Sequence, residues 1–365
     1  MPTDLVHHIA LTMVPHIGDI HARELIGYFG NAENIFKARK SDLDKLPGIG
    51  EVRARSIKEF KDFKRAEEEM RFIEKFKIEV LVLGAPGYPK RLLNCYDAPL
   101  LLYFRGKADL NAEKIVSIIG TRNNTDYGKE SAREIIEDLA PYKVLIVSGL
   151  AYGVDSIAHK LALKQDLPTV GILAHGLDRI YPDENKTLAR EMIMNGGLLT
   201  DFMTKTKPDK QNFPKRNRIV AGISDATVVI ETSLKGGSMI TAELANSYNK
   251  DVFAVPGKIS DTRSEGCNYL IRTNKAALVS SGKDIIDFMN WNQLPLKHQP
   301  QRELFVELTP DEKVIVQILR QYGITHIDEL YVKSGLRSSA VAAAILNLEL
   351  QNVLTSLPGK LYKLL

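Results

Sequence analysis

Residues 114–149 read KIVSIIGTRNNTDYGKESAREIIEDLAPYKVLIVSG, and this stretch decides the fold. KIVSIIG and KVLIVSG are short, β-branched and apolar on both faces, as strands of a parallel sheet covered on both sides are. Between them YGKESAREIIEDLA, 127–140, is amphipathic at helical spacing. Outward from this unit the alternation repeats. IEVLVLG, PTVGILA, ATVVIE, DVFAVPG and AALVSS read as further strands, and DSIAHKLALKQ (155–165) and MITAELANSYNK (239–250) as helices. The pattern predicts a doubly wound α/β fold, in which ligands bind where the strands' carboxyl ends pass into loops and helix N-termini.

Those loops are TRNNTDYG, LAYGVD, HGLDRIYPDEN and TSLKGGSMITAE. Glycine recurs in or beside them (Gly120, Gly149, Gly153, Gly176, Gly236, Gly237), so backbone can approach a ligand closely. No strand is followed by G-x-G-x-x-G and no G-x-x-x-x-G-K-[ST] occurs, which argues against a dinucleotide site and a P-loop. What remains is a set of N–H donors and the Arg122 guanidinium, suited to phosphate oxygens. A structural pair with Asp155 or Asp178 is the other role open to Arg122.

The segment leading to ATVVIE reads as a basic loop. Lys205, Lys207, Lys210, Lys215, Arg216 and Arg218 surround Phe213, with Asp209 the acid among them. A solvated charged face is one reading; an aromatic among cations is also the composition that stacks an unpaired base while its neighbours neutralise backbone charge. Phe213 serves either as that platform or as a core plug, and its exposure separates the two.

The chain has 365 residues, 44% hydrophobic and 26% charged, enough for two or three globular units. A net charge of +4 places any polyanion contact in clusters rather than in total charge. Cys95 and Cys267 are the two cysteines, which fits a reducing compartment and no disulfide scaffold. Without a signal-peptide pattern or a run of about eighteen apolar residues, the expectation is a cytoplasmic protein with no membrane partner.

At the N-terminus VPHIGDIHARELI (14–26) returns as LPGIGEVRARSIK (46–58). The repeat resembles a pair of helix-hairpin-helix motifs, whose turns contact phosphate through backbone amides or serve as a helical scaffold. His16 stands where the second copy has Gly48, so the first turn is expected to be less free to take positive φ.

The motifs IIGTRNNTDYG, VSGLAYGVDSIAH, GLDRIYPDEN, NFPKRNRIVAGISDATVVIE, GGSMITAELA, VFAVPG and EGCNYLIR run in order across 117–272 and resemble the DNA-processing protein A (DprA/Smf) family. The resemblance implies an extended Rossmann-like domain that holds single-stranded DNA without chemistry, loads a RecA-type recombinase in natural transformation and recombination, and forms a homodimer. By motif, Gly120, Thr121 and Arg122 would grip phosphate. Lys210, Phe213, Arg216, Asn217 and Arg218 would form a basic wall and base platform, and Gly236, Gly237, Ser238 and Thr241 would supply N–H and hydroxyl donors. Thr121, Ala174 and Gly236 depart from the usual Ser, Gly and Ser, and Ala174 would hold DNA slightly further from its loop.

The expected organisation is a helix-hairpin-helix (SAM-like) domain at 1–77, the Rossmann-like domain at 78–289, a linker at 290–308 and a winged helix at 309–365. In the last, Thr309 and Thr325 read as N-caps and Gly323 and Gly335 as helix stops. Its third helix is rich in Ala and Leu, pointing to protein contact or weak duplex binding rather than base reading. A second resemblance, of GGSMITAE to nucleotide phosphoribohydrolases, would make Glu243 an acid. His159 and His175 lack partner ligands at metal spacing and read as structural, and Asp155 and Asp178 as loop-fixing. No catalytic residue, metal ligand or cofactor is expected.

Overall fold

The computed structural model describes residues 4–292 and 308–364, apart from 352 and 358. Most of the expected 290–308 linker therefore lies outside the described residues. The chain forms two compact units, Met1–Asn292 and Gln293–Leu365.

In the first unit the described residues form one nine-stranded sheet in the order β1-β2-β6-β5-β4-β3-β7-β8-β9. Its strands are β1 (Glu79–Val82), β2 (Leu101–Gly106), β3 (Ile115–Ile119), β4 (Leu145–Ser148), β5 (Thr169–Ile172), β6 (Gly197–Thr200), β7 (Ala226–Val229), β8 (Asp251–Ala254) and β9 (Ala277–Leu278). From β6 through β9 every neighbour pair is parallel, whereas β2 joins β6 and β1 antiparallel. The seven expected strands are present. LLYFRG and GLLT add β2 and β6, two runs that were not expected as strands.

Side-chain alternation sorts each strand's apolar residues to the two faces. Ile115 and Ile119 enter one core; Val116 and Ile118 enter the opposite one. The chain builds β3 to β6 on one side of β3 and then returns to build β7 to β9 on the other. That reversal opens a crevice at the carboxyl ends of β3, β4 and β7.

Before the sheet come the helices α1 (Leu5–Met13), α2 (Asp19–Phe29), α3 (Ala32–Lys37), α4 (Lys40–Asp44), α5 (Gly50–Glu59) and α6 (Phe63–Phe76). They share a core with Leu101 and Tyr103 of β2. Contrary to expectation, His16 does take a left-handed conformation, φ 65°, matching Gly48 at φ 79°. For a residue with a Cβ this costs about 1–2 kcal/mol. Arg53 holds both turns together, its Nε donating to His16 O at 3.1 Å and its Nη1 to Gly48 O at 2.9 Å.

After the short α7 (Lys90–Leu93), the sheet is covered by α8 (Asp126–Leu139), α9 (Val154–Lys164), α10 (Lys186–Asn195), α11 (Asn212–Ile223), α12 (Gly237–Ser247), α13 (Glu265–Arg272) and α14 (Gly282–Phe288). The residues expected as the end of a basic loop are instead α11. Pro214 falls in its first turn, where no amide donor is required, and Ile219, Val220 and Ile223 are buried and anchor its inner face.

The second unit has its own core around Ile315, Leu319, Leu330, Ile345 and Leu348. It comprises α15 (Pro310–Tyr322), α16 (Ile327–Ser334), α17 (Ser338–Leu350) and a small sheet of β10 (Thr325–His326), β11 (Leu354–Leu357) and β12 (Leu361–Leu364), a winged helix. Thr309 caps α15 in a reciprocal box with Glu312, and Gly323 and Gly335 end α15 and α16 with φ 72° and 65°. Thr325 is not a cap: it lies in β10, and His326 accepts from Asp328 N at 3.3 Å.

Candidate functional site

The crevice is a cleft of about 310 Å³. Its rim and floor come from loops that follow β3, β4 and β7 and from α11 and the start of α12. Glu231, buried just past β7, ties the first loop down. Its backbone O accepts Thr121 N at 2.7 Å and its carboxylate accepts Thr125 N at 2.9 Å and the Thr125 hydroxyl. A carboxylate at the N-terminus of α8 is favoured by the helix dipole, and the loop that it fixes carries Arg122.

Gly236 N-caps α12, whose first amides have no intrahelical acceptor. Beside them Ser238 Oγ donates to Thr232 Oγ1 at 2.7 Å. Amides and hydroxyls at a helix N-terminus form an anion site.

Arg122 is exposed, and its guanidinium lies 5.3 Å from the centroid of the Phe213 ring. Phe213 is half-buried and lines the cleft instead of the core, with the Tyr181 ring 6.4 Å away. Among the described residues Arg122 has no ion pair, so neither Asp155 nor Asp178 claims it. Asp178 accepts from Lys205 N at 3.1 Å and pairs with Arg179; Asp155 accepts from Ala151 N at 3.3 Å. Both carboxylates fix loop backbone.

Arg216 is 5% exposed, with Nη1 donating to Ile172 O at 3.1 Å and Nε left without a partner. Burial pulls its pKa down against the opposing charge of Asp155, while burial pushes Asp155 up against Arg216. A guanidinium buried in the cleft floor is weakly screened by solvent. Gly149 makes this possible: a Cβ there would fall inside the Arg216 guanidinium.

On α11, Phe213, Arg216, Asn217 and Val220 share the face that lines the cleft. Gly120, Thr121 and Arg122 join them from the loop after β3, and Gly236, Gly237, Ser238 and Thr241 from the N-cap and first turns of α12. Lys210 is exposed ahead of α11 and is not in the cleft lining. Arg218 points elsewhere. It pairs with Asp19 of α2 at 2.8 Å and Asp201 at 2.7 Å and donates to Asp97 O, so its charge is spent joining the helical module to the sheet. Thr232 and Ser233 also line the cleft; their signal was the same glycine-rich loop that supplied Gly236.

Glu243 lies outside the cleft lining, exposed and 3.5 Å from Lys275. His159 is fully buried with Nδ1 2.6 Å from Thr169 Oγ1, and burial pushes its pKa down to about 3. His175 Nδ1 lies 3.0 Å from Gly176 O. Asp4, His7 and Glu33 bring potential ligand atoms together on the helical module, but Asp4 accepts Ala32 N and Glu33 pairs with Lys37. No helix among the described residues is long and apolar enough to cross a membrane.

Three stretches of the chain match known families. Residues 79–290 match the family of DNA recombination-mediator protein A, 299–360 the DprA winged helix domain and 9–69 a helix-hairpin-helix motif. The chain is 30% identical to Protein Smf of Escherichia coli over 303 residues, 81% of this chain and 80% of the relative. The X-ray structure of DNA processing protein A from Streptococcus pneumoniae superposes with TM-score 0.68 at 30% identity, covering 77% of this chain and 97% of that one. A structure of the Helicobacter pylori protein, described for its single-stranded DNA binding mode, gives TM-score 0.54 at 33% identity, covering 59% and 97%.

Proposed function

The chain belongs to the DNA recombination-mediator protein A family, and we propose that it binds single-stranded DNA in the cleft without reading sequence or altering a covalent bond. The observation that carries this is the Arg122 guanidinium over the Phe213 ring, 5.3 Å from its centroid, in the same cleft that the N-terminus of α12 lines. Cation, ring and amides meet the three needs of an unpaired strand: a charge for phosphate, a face for a base and donors for phosphate oxygens.

The Helicobacter pylori structure, described for its single-stranded DNA binding mode, supports the same reading. In it, the protein acts in the cytoplasm during DNA uptake and recombination, handing the strand to a RecA-type recombinase, and pairs with a second copy through the Rossmann-like domain. The phosphoribohydrolase reading lacks support, since Glu243 and Arg122 line different cavities.

The test is titration of a fluorescent thymidine oligonucleotide, single- against double-stranded, at two salt concentrations. Arg122→Ala is expected to take about 0.7 from the log–log salt slope. Phe213→Ala is expected to cost about 1–3 kcal/mol, roughly a 5- to 150-fold loss, with the slope unchanged. Wild-type binding equal for both strand forms, or unaltered affinity in both variants, would refute the proposal.

A further inference from the structure

A second cationic groove lies next to the cleft. It has a volume of about 240 Å³ between α10 and residues 177–180, and Arg105, Arg179, Lys186 and Arg190 line it with Asp178 the one carboxylate among its lining residues. Among the described residues Arg105 and Arg190 have no ion pair, and Arg179, paired through Nη2 with Asp178 at 3.0 Å, keeps its Nε buried without a partner. Lys186 pairs with Asp183 at 2.9 Å, with side chains 51% and 77% exposed, and such surface pairs exchange readily for another anion. Leu177, Ile180, Ala189 and Leu198 give the groove an apolar floor.

Two features connect this groove to a nucleic acid strand rather than to a free anion. At one end Arg105 lies 5.9 Å from the centroid of the Phe76 ring, and Lys75 lies 5.5 Å from it, repeating the cation-on-aromatic composition of the cleft. Phe76 is 37% exposed. At the other end, one loop serves both places. Residues 174, 175, 181 and 182 border a recess beside Arg122 and Phe213, while 177–180 of the same loop wall the groove. Tyr181, with its ring 6.4 Å from that of Phe213, and Arg179 of the groove stand two residues apart on this loop.

We propose that the groove is a second binding segment for the phosphodiester backbone, carrying a strand from the cleft past Tyr181, along Arg179 and Arg190, to Arg105 and Phe76. This rests on the single-strand reading of the cleft. It makes the footprint longer than the cleft alone, and it splits affinity by strand length.

The experiment titrates the full chain with fluorescent thymidine oligonucleotides of about six and about forty residues over a range of salt. Three proteins are compared: wild type, Arg122→Ala and the double variant Arg105→Gln/Arg190→Gln. The double variant is expected to bind the short strand as wild type does and the long strand more weakly, with a log–log salt slope smaller by about 1.4, two contacts at about 0.7 each. Arg190→Gln alone, at an exposed position on α10, should remove about half of that and guards against misfolding of the double variant. If Arg122→Ala weakens both strands while the groove variants leave the long strand unchanged, the groove inference falls and the cleft reading stands. If wild type binds neither strand, or Arg122→Ala changes nothing, the cleft reading falls. Loss of a poly-glutamate peptide with the long strand retained would make the groove an acidic-peptide site and overturn the inference.

Discussion

Replacing Arg218 by Met separates the two roles open to that residue. Its guanidinium bridges Asp19 and Asp201 at 2.8 and 2.7 Å with only 14% of the side chain exposed. Methionine keeps the stem and removes the charge, leaving Asp201, whose side chain is 11% exposed, without its counter-ion. Breaking a buried pair from one side costs about 3–5 kcal/mol. With an unfolding entropy of about 2.1 cal/mol/K per residue over the 292 residues of this unit, the melting temperature at pH 7 should fall by roughly 5–8 °C.

The pH dependence has a definite sign. Burial already pushes the Asp201 carboxyl up, and Arg218 is the largest opposing influence, so the variant raises it further. A carboxyl whose folded pKa lies above its unfolded one stabilises when protonated and loses that contribution as pH rises through the folded value. The gap between variant and wild type should therefore narrow as pH is lowered from 7 toward 4. Differential scanning calorimetry across that range measures it, with short-oligonucleotide affinity as the companion readout. An unchanged melting temperature together with lost affinity would show Arg218 to be a wall of the binding site, and the structural account would be wrong.

Gly149→Ala should displace Arg216 from Ile172 O. Overpacking costs about 1–3 kcal/mol, and oligonucleotide binding should weaken along with thermal stability. His159, held near pKa 3 by burial, stabilises the fold when neutral, a contribution present above its unfolded pKa and lost as pH falls toward the folded one. His159→Asn should accordingly flatten the decline in stability measured by denaturant titration between pH 6.5 and 4. Thr309→Ala removes the α15 capping box and should cost about 1 kcal/mol, seen as a lower melting temperature for the winged-helix unit with cleft binding intact.

What the sequence determined by itself was local and periodic. Apolar runs alternating with amphipathic segments dictate a covered parallel sheet, and glycine in the loops after β3, β4, β5 and β7 marks where backbone can come close to a ligand. The hairpin repeat was likewise written in two copies of one short pattern. The strand LLYFRG escaped because β2 pairs antiparallel with both neighbours and so breaks the strand–helix rhythm, and GLLT escaped because β6 has two large apolar residues and neither Val nor Ile.

The basic run shows what only tertiary structure could decide. Its charges look equivalent in sequence, yet winding into α11 turns Phe213, Arg216 and Asn217 to the cleft and Arg218 toward Asp19, a partner 199 residues away. Whether an arginine holds a ligand or a neighbouring module depends on which carboxylate lies within about 4 Å, and a helix spreads adjacent residues about 100° apart to meet different surroundings. Periodicity fixes which elements form; the long-range pairing of those elements fixes what each charge is for.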